Sequence, residues 1–207
     1  MKTCRLAEKL PNTSLHCLYS YFYRRPVKNL IPHFVAQQYE EGKSHGRVDA
    51  YVMHIDLSGF TALTEGLMQT GHAGAEELSH ILNDIFAPMV RLVYARRGHI
   101  PCFAGDSFAA VFSSRSAQPE DITQTALDIR HLFSGRSYQF GDFTIDIRIG
   151  LSCGMVEWGI VGEQHKAFYL RGTPIDRAAY CQSQARHRQI ILGDCIAAKL
   201  VHKPVQM

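Results

Sequence analysis

Residues 51–65 constrain the fold of this chain more than any other stretch. They read YVMHIDLSGFTALTE, an apolar run that ends at Asp56 and then passes through Ser58 and Gly59 into a sequence with helical character. A strand that ends in a carboxylate and turns at once into a helix places a metal ligand beside free backbone N–H groups, and this arrangement binds a nucleotide phosphate with its cation. Taken alone, the stretch also allows Asp56 simply to cap the following helix.

The composition is typical of a globular protein and argues against several function classes. The 207 residues, 46% of them apolar, suffice for one domain with a sizeable core. A net charge of +3 without a long block of like charges does not favour nucleic acid or a membrane surface as a partner. The six cysteines form no CxxC pair, as expected in a reducing compartment, and no apolar run approaches the ~18 residues of a membrane span. We therefore expect a cytoplasmic protein with no membrane span and no nucleic-acid partner.

The N-terminal part, residues 1–47, is expected to form a partly ordered arm ahead of a domain at 48–207. Three prolines interrupt it, and aromatic and basic side chains cluster in residues 19–25. Such a cluster can bind single-stranded nucleic acid, but packing against a neighbouring domain or subunit is the interpretation we favour. A short helix is expected over residues 30–42, ended by Gly42.

The first half of the domain predicts two helices separated by a hairpin. Residues 73–97 carry apolar side chains at helical spacing, with Pro88 inside, and residues 117–133 predict a second amphipathic helix. Between them, residues 99–112 divide around Gly105 and Asp106 into two short strands joined by a tight turn. The tip of this hairpin therefore carries a carboxylate.

The second half begins with the clearest strand pattern of the chain. Apolar and polar residues alternate over residues 143–153, and Gly154 is expected to turn this strand into a second one at 155–162. A short extended piece follows, and Thr173 is the expected N-cap of a helix that runs to about Arg186. A last short strand at 190–192 and a short helix from Asp194 complete the pattern.

This order of elements predicts an α+β fold, a ferredoxin-like βααββαβ sandwich with an antiparallel sheet and helices on one face. If the sheet pairs the first strand with the hairpin, Asp56 and Asp106 lie at one edge although they are far apart in the sequence. Two carboxylates at such an edge can bridge two divalent ions.

Four segments carry a further pattern: HIDLSGFTALTE, GHIPCFAGDSFAAVF, IRIGLSCGMVEWGIVG and YLRGTPIDRAAYCQSQA. In this order and spacing, over roughly residues 48–195, they resemble the signature blocks of the class III nucleotide cyclases, the adenylyl and guanylyl cyclase catalytic domain. They are most similar to the first domain of soluble-type or tandem bacterial adenylyl cyclases. The diguanylate cyclases share the general topology, but this chain has no GGDEF-like hairpin.

The resemblance implies a class III nucleotide cyclase fold and a site for ATP or GTP with two Mg²⁺ or Mn²⁺ ions. Asp56 and Asp106 match the two acids that hold the metal pair, and the backbone carbonyl of Leu57 matches a further ligand. In the family the ribose 3′-hydroxyl attacks the α-phosphorus and pyrophosphate leaves. The turn whose N–H groups receive the phosphates corresponds to Ser58, Gly59, Phe60 and Thr61.

Three family positions carry residues that depart from the pattern. Cys102 occupies the purine-selecting position, so the resemblance does not distinguish ATP from GTP, and a small core filler is the simplest role for it. Asp176 replaces an asparagine that acts in the transition state, and we expect it to serve the first turn of a helix. Tyr180 replaces an arginine that binds the triphosphate and cannot supply its permanent charge. We expect the C-terminal hairpin that carries a phosphate-binding lysine in the family to be missing, because the sequence ends at Met207 before it.

These departures imply that the chain supplies the metal-binding half of a site shared with a complementary cyclase domain, with which it would form a dimer. On this interpretation the chain alone is inactive. Two alternatives stay open from the sequence. One is a regulatory pseudo-cyclase that binds nucleotide or an effector and acts through dimerisation, and the other is a pure interaction domain.

Overall fold

The computed structural model describes residues 31–134 and 138–201, and the aromatic and basic cluster at residues 19–25 lies outside them. The helices are α1 (His33–Glu40), α2 (Phe60–Met68), α3 (His72–Ala95), α4 (Pro119–Leu132), α5 (Thr173–Gln184) and α6 (Asp194–Val201). The strands are β1 (His45–Ser58), β2 (Gly98–His99), β3 (Phe103–Ala104), β4 (Ser107–Ser113), β5 (Gln139–Phe140), β6 (Phe143–Thr144), β7 (Asp146–Val161), β8 (Ala167–Arg171) and β9 (Ile190–Leu192).

Strands β1 and β7 form the centre of a seven-stranded sheet. The main path runs β2-β4-β1-β7-β8, with β3 paired to β4 and β9 paired to β7. All of these pairs are antiparallel except β7 with β9, which run parallel. The predicted α+β class is confirmed, as is the hairpin around Gly105 and Asp106, here formed by β3 and β4.

The two faces of the central strand pack against different helices. Tyr51, Met53 and Ile55 of β1 belong to the larger core cluster, together with apolar side chains of α3, α4 and α6. Ala50 and Val52 face the opposite way and pack in a second cluster with Val35 of α1 and Ala178 of α5. The expectation that helices cover only one face is therefore wrong, because α1 and α5 bury the other face of β1 as well.

Helix α1 lies within the residues that the sequence assigned to the arm. It occupies most of the predicted helix at residues 30–42, and its Val35 is fully buried against the sheet. Strand β1 likewise begins at His45, three residues ahead of the predicted start of the domain at 48. The segment just before residue 48 thus contributes to the fold.

The predicted turn at Gly154 is wrong. Strand β7 continues through this residue from Asp146 to Val161. Gly154 has a φ of 143°, a value that few other residues adopt, yet it stays in register opposite Ala50 of β1. Because β1 is almost as long as β7, it offers a pairing partner on both sides of the glycine, and the ladder carries the strand across it.

The start of α5 differs by one residue from the prediction. Gly172 is the N-cap, and Thr173 is the first helical residue, followed by Pro174 in the first turn. The helix ends at Gln184, close to the predicted end near Arg186. None of the helices in residues 31–134 and 138–201 combines the length and the apolar composition that a membrane crossing requires.

Replacing Arg97 by glycine is expected to stabilise the protein. Arg97 follows the C-cap of α3 with a φ of 59°, in the left-handed region, and its N–H donates to the carbonyl of Tyr94 at 3.0 Å. A side chain in this conformation costs about 1 kcal/mol, most of which glycine relieves. We expect Arg97→Gly to raise the free energy of unfolding by about 0.5–1 kcal/mol in urea denaturation. Arg97→Ala is the control, because it removes the same side chain but keeps the strain; equal stability of the two variants would contradict this account.

Candidate active site

The end of β1 and the tip of the β3–β4 hairpin lie side by side. In the antiparallel pairing of β1 with β4, Asp56 stands opposite Ser107. The N–H of Leu57 donates to the carbonyl oxygen of Asp106 at 3.2 Å. The two carboxylates that the sequence singled out are thus brought to one edge of the sheet, as predicted from the expected strand pairing.

Both carboxylates line one cavity of about 490 Å³, which we call the strand-end cavity. Of the seven residues predicted for metal or phosphate binding, all except Phe60 line it: Asp56, Leu57, Ser58, Gly59, Thr61 and Asp106. The Phe60 side chain packs against the main core instead, so only its backbone belongs to the turn.

The turn between β1 and α2 depends on Gly59. This residue has a φ of 86°, and a Cβ atom there would overlap the carbonyl oxygen of Thr144. Gly59 is the N-cap of α2, where no side chain makes a capping hydrogen bond and no acidic residue lies in the first turn. Asp56 therefore does not cap this helix, and that alternative is wrong. The first-turn N–H groups of α2 remain available to an anion in the cavity.

Arg148 is the partner of Asp56 in the strand-end cavity. It stands opposite Asp56 in the β1–β7 ladder, so both side chains project from the same face, and the two form an ion pair. The side chains are 34% and 18% exposed, respectively. The Arg148 Nε is buried and has no hydrogen-bond partner among the described residues, so the guanidinium keeps a donor that an anionic ligand can use.

Two further basic residues reach the strand-end cavity from the loop after α5. Arg186 and His187 both line it, and His187 Nδ1 shares a hydrogen bond of 3.0 Å with Ser58 Oγ. This bond ties the loop to the turn that precedes α2. The cavity thus combines two carboxylates with two guanidinium groups and an imidazole.

Arg148, Arg186 and His187 were not among the site residues predicted from the sequence. Arg148 is one of the polar positions in the alternating strand, and its relation to Asp56 follows only from the register between β1 and β7. The basic run from Arg186 to Arg188 was a visible signal, but nothing in the sequence placed it beside the phosphate turn.

His54 lies two residues before Asp56 on the same face of β1. Burial lowers its pKa, an effect that the nearby Asp56 carboxylate only partly opposes. His54 is therefore neutral at neutral pH, and the positive charge that balances Asp56 comes from Arg148.

The three residues that differ from the family pattern, Cys102, Asp176 and Tyr180, lie outside the strand-end cavity. Asp176 is exposed in the first turn of α5, as predicted, and Tyr180 is 66% exposed on the same helix. Cys102 is exposed in the interruption between β2 and β3, so the expectation of a core filler is wrong. Its neighbour Pro101 cannot donate to a sheet ladder, and β2 ends at His99 before it.

The donor set of the cavity suits a hard divalent cation that is bound together with a phosphate. Asp56, Asp106 and the Leu57 carbonyl offer oxygen ligands, and within the described residues no cluster of three or more histidine, cysteine or acidic side chains forms a dedicated cage. Mg²⁺ is commonly held by one or two carboxylates and completed by substrate phosphates. The residues present therefore fit Mg²⁺ or Mn²⁺ with a nucleotide better than a stand-alone structural metal.

Residues 43–206 match the sequence model of the family described as the adenylate and guanylate cyclase catalytic domain. The chain belongs to this family. Adenylate cyclase type 10 of Homo sapiens is 31% identical over 152 residues, a match that covers 70% of this chain, and the Rattus norvegicus protein of the same name is 30% identical. The matched region covers only 9% of the length of these relatives.

Solved structures support the same assignment of the fold. The adenylyl cyclase CyaB from P. aeruginosa superposes with a TM-score of 0.65 at 21% identity, covering 77% of this chain and 83% of that one. The guanylate cyclase domain of RhGC from Catenaria anguillulae, solved in complex with GTP, gives 0.63 at 19% identity, covering 77% and 86%. The predicted class III cyclase fold is thereby confirmed for this cyclase domain.

Proposed function

We propose that this cyclase domain supplies the metal- and triphosphate-binding half of a site that converts ATP into 3′,5′-cyclic AMP and pyrophosphate. The observation that carries the proposal is the strand-end cavity. In it, two carboxylates, an uncapped helix N-terminus and the guanidinium of Arg148 converge. ATP is preferred because the two relatives at 30–31% sequence identity are named as adenylate cyclases, and GTP is the alternative substrate.

Asp56, Asp106 and the Leu57 carbonyl would hold two divalent ions, Mg²⁺ or Mn²⁺. When bound, such ions activate the attacking oxygen and stabilise the charge on the triphosphate. The backbone N–H groups after Gly59 would bind the phosphates that do not react.

Arg148 would change partners when the nucleotide binds. In the present structure its charge is balanced by Asp56, whose oxygens are needed as ligands in the loaded site. A triphosphate offers the guanidinium a more highly charged partner, so Arg148 can leave Asp56 and bind a phosphate with two parallel hydrogen bonds. Arg186 and His187 border the same space and would add positive charge from the α5 side.

A complementary cyclase domain would complete the site. Tyr180 and Asp176 are exposed on α5 and offer neither a guanidinium nor a neutral amide to a nucleotide. A transition state of phosphoryl transfer depends on such groups for charge stabilisation. The partner would supply them together with the base selection that Cys102 does not provide.

Regulation without chemistry is the second candidate function. It is favoured by the Asp56–Arg148 ion pair, which satisfies the first carboxylate without a metal, and by the exposed Tyr180. In that case the domain would bind nucleotide and act only on its partner. The two candidates make opposite predictions about cyclic product.

We expect cyclic product only when this domain is paired. The purified chain would be incubated with Mn²⁺ and ATP or GTP, with and without a cyclase domain that carries asparagine, arginine and lysine at the positions lacking here. Because one correctly placed arginine contributes about 10³-fold or more to phosphoryl transfer, pairing should raise product formation at least ~100-fold. The measurement is cyclic nucleotide by mass spectrometry.

Three results would contradict this proposal in different ways. Robust turnover by the chain alone would show that the site does not need a complementary half. Metal-dependent nucleotide binding without product in any pairing would favour the regulatory function instead. The absence of nucleotide binding would leave an interaction domain.

A further inference from the structure

Two cysteines meet where α6 begins beside β7. Cys195 is partly exposed in the first turn of α6, and Cys153 is buried in β7. The N–H of Cys153 donates to the sulfur of Cys195 at 2.9 Å, and Ser152 Oγ lies 3.6 Å from the same sulfur. We call these two residues the β7–α6 cysteine pair.

The surroundings of Cys195 favour its thiolate form. Burial opposes the charge, but hydrogen bonds from Cys153, Ser152 and the backbone N–H of Ile196 outweigh it and lower the pKa of Cys195 below its ordinary value. The sulfur also lies at the positive end of the α6 dipole. A partly exposed thiolate with several donors is the form of cysteine that reacts with oxidants.

Cys153 has the opposite character. Burial and the neighbouring Cys195 raise its pKa to about 12, so it remains a protonated thiol within hydrogen-bonding reach of the Cys195 sulfur. The short contact from the Cys153 nitrogen to that sulfur keeps the two Cα atoms within about 7 Å, near the upper limit of disulfides. The pair thus combines a reactive sulfur with a thiol close enough to resolve its oxidised form.

We propose that Cys195 is a peroxide-reactive cysteine and that Cys153 resolves it, so that oxidation joins α6 to β7 by an intramolecular disulfide. The Cys195 sulfur attacks one peroxide oxygen, the O–O bond breaks, and the released hydroxide takes a proton to become water. The Cys153 sulfur then displaces the hydroxyl group of the Cys195 sulfenic acid, and its proton leaves with that hydroxyl as the second water. One peroxide is reduced to two waters while two thiols are oxidised to one disulfide.

The other described cysteines are less suited to this reaction. Cys181, on α5, lies near Cys195, but burial and the charge of Cys195 raise the pKa of Cys181. Within the described residues no hydrogen bond joins the two side chains. Cys102 is exposed, and its sulfur accepts no hydrogen bond from the described residues. These two residues serve as internal references.

The test treats the full chain with a small excess of hydrogen peroxide, blocks free thiols at intervals, and maps each cysteine by mass spectrometry of unreduced peptides. We expect a Cys153–Cys195 linkage, reversed by dithiothreitol, to form at least ~10-fold faster than Cys102 oxidises. Cys195→Ser should abolish the linkage, whereas Cys153→Ser should leave a Cys195 sulfenic acid that dimedone traps. Cys102→Ser is the matched control and should change nothing.

The proposal is overturned if Cys195 oxidises no faster than Cys102, or if the peroxide-treated chain links Cys195 to a cysteine other than Cys153. Should Cys153→Ser fail to fold by circular dichroism, the linkage in the unmodified chain and its loss in Cys195→Ser still decide the question. None of these measurements depends on nucleotide binding, so the outcome is independent of the proposed cyclase function.

Discussion

Asp56→Asn is expected to abolish metal-dependent nucleotide binding while leaving the fold intact. The substitution keeps the shape of the side chain but removes the charge that a divalent cation requires. We expect the affinity for Mn²⁺–ATP to fall at least ~100-fold in calorimetry, and cyclic product in the paired enzyme to fall by at least as much. Stability should change little, because the Asp56–Arg148 pair is partly exposed and such pairs contribute about 0–1 kcal/mol.

Asp49→Asn is the matched control for this experiment. Asp49 lies on the same strand, seven residues before Asp56, with a 46% exposed side chain that pairs with Lys199 at 3.8 Å. The Asp49→Asn substitution therefore removes one negative charge from β1, as Asp56→Asn does, but at a position away from the strand-end cavity. Unchanged Mn²⁺–ATP affinity in Asp56→Asn, or an equal loss in Asp49→Asn, would remove the basis for a metal site at the strand end.

The carboxylate half of the site could be predicted because its signals are local. An apolar strand, an acid at its end and a glycine turn are contiguous, and the second acid sits at a hairpin tip defined by Gly105. One assumption, that β1 pairs with the hairpin, then sufficed to bring Asp56 and Asp106 together. The structure confirms this pairing, in which β1 aligns with β4 of the hairpin.

The cationic half could not be predicted because it depends on contacts across the sheet. Arg148 reaches Asp56 through the exact alignment of β1 with β7, and a shift of one residue would turn it to the other face. His187 reaches Ser58 from a loop 129 residues later in the chain. Neither relation leaves a periodic or motif-like trace in a single sequence.

The errors at Gly154 and Cys102 share one physical cause, which is that tertiary context overrides local propensity. A glycine between two strand patterns favours a turn when each strand must find its own partner, but here β1 pairs across Gly154 without interruption. A cysteine between apolar residues favours the core, but Cys102 lies where the ladder between β2 and β4 has ended. Both positions follow from the pairing of whole strands.

Gly150→Ala is expected to be among the most destabilising single substitutions in the domain. Gly150 lies in β7 opposite His54, where α5 packs directly on the strand. An added Cβ would overlap the carbonyl oxygen of Ala178 and the backbone nitrogen of Gln182, both of which belong to the helix backbone and cannot rotate away. Overpacking against backbone costs about 3 kcal/mol or more, so we expect the melting temperature to fall by at least ~6 °C.

Gly150→Ala should also disturb the surface that would face a complementary domain. Displacing α5 from β7 moves the helix that carries Asp176 and Tyr180 and shifts the loop that begins at Ala185 on the wall of the strand-end cavity. Gly141→Ala is the control, because Gly141 has a φ of 58° but open space around its Cα, so only the conformational cost of about 1–2 kcal/mol applies. Equal melting temperatures for the two variants would mean that α5 yields to the added methyl group. In that case the close packing of α5 on Gly150 would not determine the position of this helix beside the site.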